Sequence, residues 1–151
     1  METEVHIVEK YLQEIKGCFT MTNILLKGRK EIDLLAINPL TGERYHVEVS
    51  IWTTEKVPES WLSDDFEKKK FENPLVKHKI CELFGNAPYS KALVVWDVKD
   101  NKVAGAAKKQ FGIDIWFIRD VIQELKQAIS NGKIKGSRDD ILRVLELVAR
   151  P

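Results

Sequence analysis

The chain has 151 residues, 44% of them hydrophobic and 31% charged, with 24 Lys and Arg against 23 Asp and Glu. A formal net charge of +1 in a composition this apolar excludes a disordered polyelectrolyte and gives no global pull toward nucleic acid, so any basic footprint has to be local. The length suits one domain whose core needs no disulfide or metal staple, and Cys18 and Cys81, with no CxxC or Cys/His spacing, read as reduced thiols. The opening METEVHIVEK lacks the basic and apolar regions of a signal peptide. No apolar run approaches the roughly 20 residues that a bilayer needs, so the expectation is a soluble, cytoplasmic protein without membrane contact.

Val5, Val8, Leu12 and Ile15 fall on one stripe, which predicts a helix over 3–16 with Thr3 as its cap and Gly17 as its stop. CFTMTNILL (18–26) predicts a strand, KGRK (27–30) a tight turn, and EIDLLAI (31–37) a second strand. Pro39 and Gly42 mark a hairpin loop, from which ERYHVEVSI (43–51) returns antiparallel. After a polar connector, helical pieces are expected at about 64–72 and 75–84, divided by Asn73-Pro74 and ended by Gly85. KALVVWDV (91–98) is continuously apolar, as a central strand covered on both faces should be. Residues 99–110 read as helix and IDIWFI (113–118) as a fifth strand. Helices at 119–131 and 138–149 close the chain, the last capped by Ser137 or Asp139. Three meandering strands followed by strand–helix–strand crossovers predict an α/β sandwich: a mixed sheet with an α-β-β-β-α-β core and an additional strand and helices, in one domain with its core at about 3–118.

Alternation along the second strand puts Glu31, Asp33 and Leu35 on one face, with Ile32, Leu34 and Ala36 on the other. Along the third it puts His46, Glu48 and Ser50 on one face. If the two strands pair through the loop at 38–42, Asp33 and Glu48 lie side by side, and adjacent carboxylates repel unless a proton, solvent or a cation compensates. Mg²⁺ compensates best, since it takes one or two protein carboxylates and completes its shell with water. On the first helix Glu4 lies at the margin of the apolar stripe and is the acid expected to reach the sheet surface.

GRKEIDLLAINPLTGERYHVEVS, preceded by an acidic helix and YLQEIKGCFTMTN, resembles the restriction-endonuclease-like PD-(D/E)XK superfamily, closest in flavour to archaeal Holliday-junction resolvases and their small relatives. That pattern is a helical Glu, then Glu-Ile-Asp and hydrophobic residues, a hairpin, and Val-Glu-Val-Lys; the likeness covers residues 4 to about 52 closely and the element order loosely to about 118. The resemblance implies a single restriction-endonuclease-like domain, a metal-dependent DNA endonuclease using Mg²⁺ or Mn²⁺, and a possible homodimer. It assigns the cation to Asp33, Glu48 and the backbone carbonyl of Val49, with Glu4 assisting, and the expected reaction is phosphodiester hydrolysis by metal-activated water.

Ser50 departs from the family pattern, because it stands where the resemblance implies a lysine. Losing one electrostatic donor of this kind commonly costs about 10²–10³-fold in rate. Three readings are open. A lysine reaches in from elsewhere, with Lys68, Lys69 and Lys70 as candidates ahead of Lys77, Lys79 and Lys30, and Lys69 taken as the catalytic choice. Alternatively Ser50 and metal suffice, or the domain is catalytically silent and serves as a nucleic-acid-binding or protein-interaction module. Lys27, Arg29, Lys30, Lys68 and Lys70 are the expected phosphate contacts. His46 shares the Glu48 face and could bind substrate or metal but reads first as a surface residue; Trp96 and Trp116 read as core, and Trp52 and Trp61 as flanking the site, able to stack on a base or pack a dimer.

Overall fold

A computed structural model describes residues 2–51, 56–134 and 139–149; Trp52 and Ser137 lie outside them. Helix α1 (Thr3–Glu14) buries Val5, Val8, Tyr11 and Leu12, and Gly17 beyond it takes φ +68, which only glycine adopts freely. Its N-cap is Glu2 rather than Thr3, and no side chain caps it. Strands β1 (Phe19–Leu25), β2 (Glu31–Ile37) and β3 (Arg44–Ser50) follow, then helices α2 (Leu62–Phe71) and α3 (Pro74–Phe84) and strand β4 (Ser90–Val95). Helix α4 (Lys102–Ala106) runs on into a π-wound turn (Ala107–Phe111), and β5 (Ile113–Phe117), α5 (Ile118–Ser130) and α6 (Asp140–Ala149) complete the chain.

The five strands lie in chain order, β1 through β5; β1–β2 and β2–β3 are antiparallel, β3–β4 and β4–β5 parallel. This is the mixed sheet of an α/β fold, and helices cover both faces. On one face Leu34, Ala36, Val47, Ala92 and Val94 pack against residues of α1, α5 and α6. On the other, Leu93, Val95 and Ile113 meet α2 and α4, while Ile32 and Leu35 meet Val76 and Ile80 of α3. Ala92–Val95 of β4 are all buried because neither face is left to solvent, which is why that strand reads as an unbroken apolar run. Among the described residues no helix is long and apolar enough to cross a membrane.

Helix α2 departs from α geometry. It is π-wound, with the Glu72 N–H bonded to the Glu67 carbonyl five residues back. That widened turn brings Phe66 and Phe71, five apart, onto the same buried face, where an α-helix would rotate one of them away. Asn73 then caps α3 by accepting from the Leu75 N–H, and Pro74 occupies its first turn, where a missing N–H costs nothing.

Trp96, expected in the core, is half exposed: β4 ends at Val95, so the tryptophan falls beyond the last paired residue. Trp116 packs edge-on against Tyr11 and Tyr45 as a core residue would. Cys18 is buried and Cys81 exposed, both as free thiols.

Candidate active site

The local geometry of β2 builds the site. Its ladder with β3 runs from Ile37↔Arg44 to Leu34↔Val47, and the same register one step further sets Asp33 opposite Glu48. There the backbone ladder stops, and the Asp33 carboxylate (Oδ2) accepts from the Val49 N–H at 2.8 Å. The side chain thus takes a strand amide that backbone would otherwise satisfy. On the other edge of β2, pairing with β1 skips Asn23, which sits opposite Asp33 with φ +49, a conformation asparagine tolerates better than most. This double interruption explains one failure of simple alternation: Ile32 joins Leu35 against α3, although the period-2 pattern puts them on opposite faces.

Asp33 is 7% exposed and Glu48 1%, so two carboxylates lie nearly buried beside each other. Burial first, then the Glu48 charge, push the Asp33 carboxyl up to about 7; the Val49 amide and Lys70 pull the other way without offsetting it. The Lys70 ammonium approaches Glu48 Oε2 at 3.4 Å. Burial works against that ammonium, but Glu48 and Asp33 outweigh it and hold its pKa above the ordinary lysine value. Glu48 Oε1 is bound at 2.7 Å by Nε2 of His46, whose side chain is wholly buried. Glu48 Oε2 is buried with an ion-pair neighbour but no hydrogen bond.

These groups open into a cleft of 190 Å³ lined by Glu2, Glu31, Asp33, Glu48, Val49, Ser50, Phe66, Lys70 and Leu93. Ser50 is therefore at the site, as its face on β3 requires. Val49 contributes backbone: its side chain packs on the α1 face, and in a strand the N–H and C=O of one residue point the same way, so its carbonyl is directed toward Asp33 with its amide. The exposed turn carrying Lys27, Arg29 and Lys30 leads directly into Glu31 at the same end of the sheet.

Other expected residues stand elsewhere. Glu4 does not line the cleft: Val5, Val8 and Leu12 clamp α1 to the opposite face of the sheet, and the acid that reaches round to the cleft is Glu2, at the helix start. Lys69 is not at the carboxylates; it is exposed and pairs with Asp65 at 2.9 Å, one helical turn back. Lys68 does the same with Asp64, so Lys70 is the lysine of this run that the fold brings to Glu48. Trp61 packs with the α2–α4 core cluster and is not part of the cleft lining.

His46, expected at the surface, is buried instead. Its position two before Glu48 on a strand puts it on the same face, and Phe71 at 4.8 Å between ring centroids closes over it. Among the described residues no three His, Cys, Asp or Glu side chains converge as a metal cage. Two carboxylates and a carbonyl, with space for water in the cleft, are the all-oxygen groups that a hard cation such as Mg²⁺ would take. No family model, no curated protein and no solved structure matches the chain.

Proposed function

We propose that this chain is a divalent-metal-dependent nuclease acting on DNA, with Asp33 and Glu48 as its metal-binding carboxylates and Lys70 as its electrostatic donor. One observation carries the reading: two adjacent, nearly buried carboxylates, one held at a pKa of about 7 and the other with an oxygen that accepts no hydrogen bond. Such a pair is costly to keep unless a cation or proton compensates. The resemblance of EIDLLA and VEVS to the restriction-endonuclease-like superfamily supplies the substrate class.

Asp33, Glu48 and the Val49 carbonyl would hold Mg²⁺ or Mn²⁺. When bound, the cation supplies Lewis acidity at a phosphoryl oxygen and lowers the pKa of water. Lys70, with its ammonium at the mouth of the cleft, places a positive charge where negative charge develops on the phosphate, the task that Ser50 cannot perform. The Ser50 hydroxyl hydrogen-bonds a water or phosphate oxygen. Lys27, Arg29 and Lys30 contact the flanking backbone.

A second reading is a catalytically silent domain of the same fold that binds nucleic acid or a protein. Ser50 favours it, as does the Lys70–Glu48 pair, which partly neutralises the site with no metal. Cleavage of plasmid and four-way-junction DNA with Mn²⁺ separates the two. The nuclease reading expects nicking that Asp33→Ala and Glu48→Ala abolish; intact DNA at every Mn²⁺ and Mg²⁺ concentration, with retained DNA binding, supports the silent domain instead.

A further inference from the structure

We propose that His46 is a positioning residue: it holds Glu48 through Oε1, so that Oε2 is the oxygen presented to the cleft. The inference rests on the metal-site reading and names a residue that the PD-(D/E)XK resemblance does not supply.

A glutamate on a strand has freely turning terminal torsions, and a metal ligand gains from having them fixed beforehand. Here the ring makes a 2.7 Å bond to one oxygen and leaves the other unbonded beside Lys70. A carboxylate oxygen only accepts, so Nε2 is the donor of this bond. Nδ1 is buried and has no hydrogen-bond partner among the described residues, so the ring's one hydrogen bond there is to Glu48.

The ring itself is fixed. It is buried to 0% exposure, with Phe71 at 4.8 Å and Tyr89 at 6.5 Å between centroids. Consecutive residues of α2 therefore grip the two sides of one carboxylate: Phe71 backs the histidine on Oε1, and Lys70 faces Oε2. A histidine kept only for packing would not need this bond, and one kept as a metal ligand would need its other nitrogen open to the cleft, whereas Nδ1 is buried. Metal-ligating carboxylates are commonly held by such outer partners, whose loss typically costs about 10–100-fold in affinity.

Calorimetric titration with Mn²⁺ tests the inference on wild type, His46→Phe and His46→Gln, with thermal melts of each. The expected result is binding weakened about 10–100-fold in His46→Phe and largely recovered in His46→Gln, which keeps an N–H donor. A purely structural histidine would lower the melting temperature in both variants without moving the affinity. A folded His46→Phe that binds Mn²⁺ as tightly as wild type overturns the positioning role and leaves the metal site standing. Wild type that takes no Mn²⁺ overturns both. Should His46→Phe not fold, ¹⁵N spectra of wild type carry the test. Mg²⁺ should shift the His46 Nε2 resonance and saturate with the binding heat; heat without that shift refutes the role.

Discussion

Replacing Asp33 by Asn removes one of the two buried carboxylates while keeping an oxygen to accept the Val49 N–H. The Asp33 pKa rises from 3.8 to about 7 on folding, so the native state holds a proton that the unfolded chain releases earlier. Between those two values the native state binds more protons, stability falls as pH rises, and the loss is complete above the folded pKa. At 1.36 kcal/mol per tenfold, ionised Asp33 costs roughly 4 kcal/mol, an upper value because the neighbouring Glu48 shares the effect. The substituted amide cannot ionise, so Asp33→Asn should be near wild type in stability at pH 4 and progressively more stable up to pH 7. Urea unfolding at pH 4.5, 5.5, 6.5 and 7.5 measures this, and titrating groups remote from the site largely cancel in the difference. The expected gap widens by about 1 kcal/mol per pH step and then flattens. Parallel curves for the two proteins across that range would refute the claim that burial beside Glu48 holds the proton.

Lys70→Ala should cut Mn²⁺-dependent cleavage by about 10²–10³-fold, whereas Lys69→Ala, which breaks only an exposed pair with Asp65, should leave gel-based nicking rates unchanged. Because Ser50 lines the same cleft, adding Ser50→Lys to Lys70→Ala should restore much of the lost cleavage; no recovery in the folded double variant argues against a donor that has moved from β3 to α2. Asn73→Ala removes the cap of α3 and should cost about 1 kcal/mol in urea unfolding, without touching metal affinity.

The strands were legible because their signals are local. Alternation in RYHVEVS and in EIDLLAI beyond Ile32, the hairpin loop between them and the solid apolar run of β4 fixed register and face, and with them the meeting of Asp33 and Glu48. What stayed hidden depended on contacts between distant segments or on backbone that breaks its own period. The choice among Lys68, Lys69 and Lys70 turned on which face of α2 docks on the sheet, which puts Lys70 beside Glu48 and leaves its two neighbours in exposed pairs with Asp64 and Asp65. Glu4 lies beside the apolar stripe of α1, but that stripe binds the helix to the face away from the site. His46 carried a usable signal in its alternation with Glu48. A lone histidine near the start of a strand nevertheless reads as surface until Phe71 and Tyr89 are seen to cover it.

The central claim is that Asp33 and Glu48 exist side by side to hold a divalent cation. Anomalous diffraction from crystals soaked in Mn²⁺ tests it most directly. The expected result is one strong peak between the Asp33 carboxylate and Glu48 Oε2, next to the Val49 carbonyl, with the Lys70 ammonium drawn off Glu48. An open cleft with no peak at millimolar Mn²⁺, and Lys70 still paired to Glu48, would contradict it.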